Sequence, residues 1–278
     1  ETLGDAAKSA ALRTAALYAL LPKLAEEAGL LWEDADEAAL QEARQAKIAA
    51  LGGEDAWAAH LARWGLSETD AEVFARCHRL YARLYEESRR EGSSAYLSPE
   101  DIAAYAEKQG LQTAAVLTVA DSAQAEAIRT ELAAAADLPA AFAAQAEAVS
   151  TWPSRTVTLG LEDTLPEAVS QAAKALTPGQ LSAVVTAEGQ SFLLLGREPD
   201  QEAAARALFD QRLTARAEQA EIRLLSPYET IDPGTFFPAL TAAQAALDAA
   251  GGQSDAPLAG SGASSAAGSA GAGSSAPE

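Results

Sequence analysis

Few residues in this sequence are suited to nucleophilic or metal chemistry. It contains one cysteine, Cys77, and two histidines, His60 and His78. These three residues form neither a metal-ligand spacing nor a C-x-x-C pair. The single cysteine excludes an internal disulfide, and its apolar helical surroundings predict an inert, partly buried thiol. We therefore expect no metal and no other cofactor, and the sequence disfavours a zinc enzyme and a cysteine–histidine hydrolase.

Carboxylates are abundant but form no recognisable catalytic pair. Those near the start of the chain fall on predicted helix faces, where solvated surface is the simplest interpretation: Glu26, Glu27, Glu33, Asp34, Asp36 and Glu37. The glycine pairs at 52–53 and 251–252 lack the spacing of a phosphate-binding loop. His60 lies three and four residues from Trp57 and Trp64. We interpret it as a histidine packed at a helix edge, with a binding-site role as the alternative.

The overall charge of the chain limits its partners. Its 278 residues include 40 acidic and 20 basic residues, for a net charge of −20. A surface this acidic argues against nucleic acid and against direct electrostatic binding to anionic lipid, both of which need basic clusters. Hydrophobic residues make up 49% of the chain, enough for a folded core. No run of 18 apolar residues is present, so no membrane-spanning segment is predicted.

The first 110 residues are predicted to be helical. Apolar residues recur at three- and four-residue steps, and the predicted helices cover 5–28, 35–51, 54–64, 68–90 and 99–110. The start of the last one is the clearest, since Ser98 is a favoured N-cap residue, Pro99 suits the first turn, and acidic residues follow it. Glycines at the predicted ends are typical helix terminators.

The pattern changes at residue 111, where strand-like runs begin. The predicted order is β-α-α-β-α-β-β, with strands at 113–119, 155–159, 181–186 and 191–196 and helices at 121–136, 139–149 and 165–176. The tetrad at 187–190 has the composition of a hairpin turn. A long helix follows at 200–221, then an irregular segment at 222–238 and a short helix at 239–249.

These elements predict an α+β protein that is mostly α-helical. Residues 1–110 form a helical, chaperone-like domain and 111–198 a small α+β domain inserted into it. Residues 199–250 return to the helical domain, as insertion between neighbouring chain ends allows. Residues 251–278 are rich in Gly, Ser and Ala, which predicts a flexible tail.

Several motifs resemble a known family. The segment 165–185 is similar to the helix and "L-x-x-G-x-h-S-x-h-h" turn of parvulin-type (rotamase) peptidyl-prolyl isomerase domains. Within the same domain, residues 113–117 resemble the first strand, 158–160 the "d-L-G" motif and 189–195 the last strand. Outside it, residues 64–67 and 97–102 are similar to stretches of the helical part of SurA and PrsA foldases. The resemblance covers roughly residues 5–240. It implies a discontinuous helical chaperone domain that carries a parvulin-like domain.

The catalytic residues of the family are missing from this chain. By the resemblance, the two site histidines fall on Ala115 and Ser191, and the substrate pocket falls on Leu165 and Val169 beside Leu159. Since the domain contains no histidine, isomerase activity is expected to be weak or lost. An active isomerase with an altered site, using the hydroxyls of Ser191 and Thr118, is the alternative.

Binding of polypeptide needs exposed apolar side chains in a concave setting. The candidates in the helical part are Trp32, Trp57 and Trp64, and the Phe236–Phe237 pair follows the inserted domain. The alternative for each of these side chains is that it is an anchor of the core. When the pocket positions implied by the resemblance are added, the predicted peptide-binding residues are Leu159, Leu165, Val169, Ser191, Trp57, Trp64, Phe236 and Phe237.

The sequence therefore predicts an extracytoplasmic folding factor that binds unfolded or proline-containing polypeptides. A structural or adhesive surface protein is a further alternative. The resemblance implies that the chain is secreted or anchored outside the cytoplasmic membrane. Because the sequence starts at Glu1 and contains no methionine, we expect a processed or trimmed chain. The resemblance implies that a signal peptide, with a lipid-modified cysteine as one option, lay upstream.

Overall fold

The computed structural model of the chain describes residues 3–151, 155–161, 164–224, 228 and 230–249. Five helices come first: α1 Leu3–Glu27, α2 Asp34–Leu51, α3 Glu54–Arg63, α4 Glu68–Ser88 and α5 Pro99–Gln109. The following part alternates strands and helices: β1 Gln112–Val119, α6 Ser122–Ala133, α7 Leu138–Val149, β2 Arg155–Leu159, α8 Glu167–Lys174, β3 Val185–Ala187 and β4 Gln190–Arg197. Helices α9 Gln201–Glu218 and α10 Pro233–Ala249 complete it. The predicted class, α+β and mostly α-helical, is confirmed, as is the β-α-α-β-α-β-β order.

The chain divides into two compact units. The first, which we call the helical unit, holds the residues up to Leu84 together with those from Arg216 onward. The second, the sheet unit, holds Tyr85–Ala215. The segment 111–198, predicted as an inserted domain, lies within the sheet unit, and the predicted domain limits themselves stay a prediction. None of the described helices combines the length and the apolar character needed to cross a membrane.

Local sequence signals set the helix ends. The Ser98 hydroxyl accepts a hydrogen bond from the Asp101 amide at 3.0 Å, which satisfies a donor at the start of α5. Gly110 ends the same helix with φ +62°, a conformation that L side chains rarely adopt. At the start of α2, the Glu33 amide donates to Asp36 at 3.1 Å as part of a capping box. These signals explain why the predicted and observed helices agree closely.

The sheet is antiparallel throughout and has the strand order β2-β1-β4-β3. Because side chains alternate along a strand, it has two apolar faces. On one, Ala115, Leu117 and Val119 of β1 pack with residues of α6 and α7. On the other, Ala114 and Val116 pack with residues of α8. We call the second surface the α8 face.

Two elements differ from the prediction. The third strand was predicted at 181–186 but covers Val185–Ala187. The Leu194 amide donates to the Ser182 hydroxyl at 2.9 Å instead of to a backbone carbonyl, and this interrupts the regular strand pairing before residue 185. The last helix was predicted to start at 239 but begins at Pro233. Proline is favoured at a first helical position, where its fixed φ is suitable and no amide donor is needed. Phe236 and Phe237 are therefore helical, and the prediction of an irregular segment is wrong there.

Candidate peptide-binding groove

The helical unit contains a concave, mostly apolar cavity of about 730 Å³, which we call the groove. Residues of α1, α2, α3 and α4 line it, together with the turn after α3. Its apolar surface comes mainly from six side chains, Tyr18, Leu40, Trp57, Trp64, Leu66 and Phe74. A volume of this size is typical of ligand sites. Two of the predicted peptide-binding residues, Trp57 and Trp64, are thereby brought together in one site.

Trp57 forms the floor of the groove. Its side chain is buried and packs with Ile48 and Leu61. Its Nε1–H donates to a carboxylate oxygen of Glu68 at 2.6 Å, and its ring stacks on His60 with a centroid distance of 6.0 Å. His60 is itself buried beside this ring. The structure therefore places His60 in the core, in line with its interpretation as a packed histidine.

The second tryptophan, Trp64, has a different polar environment. It lies at the C-terminal end of α3, half-buried, and lines the groove. Its Nε1 atom is buried and has no acceptor among the described residues. An unsatisfied buried donor costs about 1–3 kcal/mol. Trp57 and Trp64 thus line one groove with opposite hydrogen-bonding states.

The wall opposite α2 is aromatic. Tyr18 of α1 meets Phe74 and His78 of α4 edge-on, each with a centroid distance of 5.9 Å. Phe74 is 37% exposed and its neighbour Val73 is 51% exposed. Helical periodicity puts both residues on the apolar stripe of α4, but that side of the helix faces the groove and solvent. Phe74 lines the groove, whereas Val73 is not among its lining residues.

Cys77 and the acidic groups form no recognisable catalytic or metal-binding arrangement among the described residues. The Cys77 thiol is buried and lies 3.7 Å from the Tyr18 carbonyl oxygen, and burial raises its pKa. No cluster of three or more metal-ligating side chains occurs among the described residues. The groove is therefore a binding surface made of rings and aliphatic groups, and nothing in its described lining is arranged as a nucleophile with a base.

One acidic residue departs from the predicted solvated surface. Asp36 is 2% exposed and forms ion pairs with Arg79, at 2.8 Å, and with Arg83. Burial alone raises its pKa, but the hydrogen bonds from Arg79 and from the Glu33 amide, with the charges of both arginines, outweigh that effect and lower it. The prediction of a solvated surface is wrong for Asp36. This carboxylate joins α2 to α4, the two helices that carry most of the groove.

On the sheet unit, the predicted pocket residues are core residues. Leu159 is 1% exposed and Val169 is 0% exposed, both in the cluster between the α8 face and α8. Leu165 is half-buried at its edge. Val116 of β1 and Leu194 of β4 are cross-strand partners on the same face. Apolar side chains thus fill the position where the resemblance places a substrate pocket.

The two positions aligned with the family histidines do not lie together. Ala115 is opposite Leu195, whereas Ser191 is opposite Val119, four positions further along the β1–β4 ladder. By strand alternation, both point to the α6–α7 side and away from the α8 face. Ser191 therefore shares no surface with Leu159, Leu165 and Val169.

The Phe236–Phe237 pair lies on α10, which packs against α1 and α3. The two rings contact each other edge-on at 5.4 Å and are about half exposed. Neither is among the side chains that line the groove. Conversely, sequence reasoning missed Tyr18, Leu40, Phe74 and His78 as groove residues. The pairing of Tyr18 with Phe74 depends on how α1 and α4 pack, which helical periodicity does not specify.

Comparisons with known proteins give structural likeness only. No protein-family model matches the sequence, and no curated protein matches it either. Among solved structures, the foldase PrsA of Streptococcus pneumoniae is 16% identical, with 81% of this chain and 88% of that chain covered and a TM-score of 0.38. PrsA of Bacillus subtilis is 18% identical, with 79% of this chain and 85% of that chain covered and a TM-score of 0.37. A SurA-like chaperone of Campylobacter jejuni is 10% identical, with 80% of this chain and 81% of that chain covered and a TM-score of 0.23. Likeness at this level concerns the fold and does not extend to activity.

Proposed function

We propose that this protein is a protein-folding factor that holds unfolded or proline-containing segments of other polypeptides in the groove of its helical unit. The observation that carries the proposal is the groove itself, in which two tryptophans, a tyrosine and a phenylalanine line one concave surface. Aromatic side chains offer large contact areas at low conformational cost, as polypeptide binding requires. The resemblance of the sequence to SurA and PrsA foldases supports the same function.

The proposal includes weak or absent prolyl isomerisation. The sheet unit contains no histidine, since His60 and His78 both precede it. Rotation about a prolyl bond has a barrier of about 18–20 kcal/mol. The resemblance implies that an active site would lower it within a hydrogen-bonded, partly apolar pocket. The predicted pocket residues Leu159 and Val169 are instead buried in the core.

The proposal also places the protein outside the cytoplasm, either secreted or attached to the outer side of the membrane. The support is the sequence resemblance, because SurA and PrsA foldases act there. The acidic surface of the chain argues against adsorption to anionic lipid through charge.

The test pairs two neighbouring residues of α4. Phe74→Ala removes an aromatic wall of the groove, whereas Val73→Ala removes a comparably exposed apolar side chain that does not line it. Suppression of aggregation would be measured on a chemically unfolded model protein diluted into buffer, with prolyl isomerisation of a proline peptide assayed on the same samples. We expect Phe74→Ala to weaken client binding by about 1 kcal/mol or more, about fivefold, and Val73→Ala to leave it unchanged.

The outcomes separate the alternatives. Suppression that depends on Phe74, without isomerisation, supports the folding-factor function. Clear isomerisation would contradict the lost-activity part and favour an altered catalytic site. If the unsubstituted protein showed neither suppression of aggregation nor isomerisation, the proposal would be refuted. That result would favour a structural or adhesive surface protein.

A further inference from the structure

Charged residues around the groove form two triplets, each with one arginine and two glutamates. Arg44 donates to Glu54 at 3.3 Å and to Glu68 at 3.0 Å. Arg76 donates to Glu37 at 2.9 Å and to Glu72 at 3.2 Å. Each triplet has one arginine and two carboxylates, so each has one negative charge in excess. Only part of each carboxylate is enclosed, and solvent reaches the rest.

The two triplets lie about two turns apart along α2 and differ in what surrounds them. Lys47, exposed and lining the groove, is within one turn of Arg44 along α2 and offsets the excess charge of that triplet. The Glu37 triplet lies at the start of α2, where Arg79 and Arg83 are matched by Asp36 and Glu33. Among the described residues, no additional lysine or arginine lines that end of the groove. The groove is therefore negative at the Glu37 end and close to neutral at the Lys47 end.

The rigidity of the Glu37 triplet makes its charge a fixed feature. The Arg76 guanidinium lies over the Trp32 ring at 4.8 Å, and the Trp32 Nε1–H donates to Glu37 at 3.3 Å. Gln41 donates to the other oxygen of Glu37 at 3.3 Å. Groups held in this way lose little conformational entropy when a cation approaches them.

The apolar floor lies at the other end. Trp57 packs on Ile48, which follows Lys47 directly, and Ile48 is eleven residues from Glu37 along α2. At 1.5 Å per residue this separation is about 16 Å along α2. On α4 the distance is shorter, because Glu68, which accepts from Trp57, precedes Glu72 by one turn, about 6 Å. An extended polypeptide covers distances in this range with about two to five residues.

We infer that the groove prefers client segments in which a lysine or arginine lies about two to five residues from an aromatic or large aliphatic residue. The apolar side chain enters over Trp57 and Trp64, and the basic side chain meets Glu37 and Glu72. This inference rests on the proposed function, since it names the chemistry of the client that the groove takes. It assigns selectivity to a charged rim and affinity to an aromatic floor, the usual division in protein interfaces.

The experiment uses three fluorescently labelled peptides that differ only in the residue about four positions from a phenylalanine, within that range, which is Lys, Gln or Glu. Fluorescence anisotropy with the full chain measures their dissociation constants at low salt and at about 1 M salt, where screening acts within about 3 Å. We expect each step from Glu to Gln to Lys to tighten binding about two- to fivefold at low salt. The differences should vanish at high salt.

Two variants assign the effect to the rim. Glu72→Gln should reduce the preference for lysine, whereas Glu42→Gln, an equal charge change on an exposed residue of α2 that does not line the groove, should preserve it. Equal affinity for the three peptides, or equal effects of both variants, would overturn this inference and leave the proposed function intact. Failure of all three peptides to bind the unsubstituted chain would refute the proposed function and this inference with it.

Discussion

The groove of the helical unit and the α8 face of the sheet unit use apolar residues in opposite ways. In the groove, Trp64 and Phe74 are packed on one side and open on the other, and arginine–glutamate triplets surround them. On the α8 face, Leu159 and Val169 are almost completely enclosed between the sheet and α8. Both regions were predicted to bind polypeptide. Only the first has the concave, accessible surface that binding needs.

The difference arises from secondary structure. A sheet face covered by a helix becomes a continuous layer in which alternate side chains interlock. Four helices of unequal length, by contrast, do not fill the space between them, and aromatic side chains then line the gap. The helical unit therefore supplies the accessible surface, whereas the α8 face supplies stability. The predictions below test this division, from the largest expected effect to the smallest.

The strongest test removes a side chain from the α8 face. Leu159→Ala should lower the free energy of unfolding by about 2–5 kcal/mol, because it deletes buried methyl groups and leaves a cavity. Urea denaturation of the full chain measures this loss, with Thr156→Ala, an exposed position on the same strand, as the control. Client binding should be unchanged while the protein stays folded. If Leu159→Ala weakened client binding without loss of stability, the α8 face would be the binding site.

A second test targets the ion pair that holds the groove helices together. Asp36→Asn should cost about 3 kcal/mol, because it leaves the largely buried Arg83 with only the more distant and exposed Glu33, at 3.8 Å, as a counter-charge. Asp34→Asn, an exposed change on the same helix, should cost less than about 1 kcal/mol. Urea denaturation measures the free energy of unfolding of both variants. A loss of stability confined to the helical unit would support the contrast between the groove and the α8 face.

The pH dependence has a definite sign. The pKa of Asp36 is lowered in the folded protein, so its stabilising effect is fully present above its ordinary value of 3.8 and is lost as pH falls through the folded value. Unfolding followed below about pH 4 should therefore show a flatter acid dependence for Asp36→Asn than for the unsubstituted chain. Equal acid slopes in the two proteins would contradict the role assigned to this carboxylate.

The third test compares the two tryptophans of the groove. Trp57→Phe removes the hydrogen bond to Glu68 and should destabilise the protein by about 1–3 kcal/mol. Trp64→Phe removes a donor that has no acceptor among the described residues, and this gain offsets the lost packing, so its effect should stay within about 1 kcal/mol. Thermal or urea unfolding measures both. Equal losses would mean that Trp64 finds an acceptor in solution.

The order of elements could be predicted from the sequence, whereas the site could be predicted only in part. Helix caps such as Ser98 and strand runs such as 113–119 are local signals, so the elements follow from neighbouring residues. Whether an apolar residue is enclosed, as Val169 is, or open, as Phe74 is, depends on residues distant in sequence. The burial of Asp36 depends in the same way on Arg79 and Arg83 of another helix.

The smallest expected effect is at the hairpin between β3 and β4, far in sequence from the groove. Glu188 has φ +50° and Gly189 has φ +74°, as a two-residue turn of this kind requires at both central positions. Glu188→Gly should therefore stabilise the sheet unit by about 0.5 kcal/mol, since a side chain is disfavoured there, whereas Gly189→Ala should destabilise it by about 1 kcal/mol. Thermal unfolding measures both shifts, and neither variant should change client affinity. If the two variants altered client binding in opposite directions, stability of the sheet unit would be coupled to the groove, and the assignment of binding to one region and stability to the other would have to be abandoned.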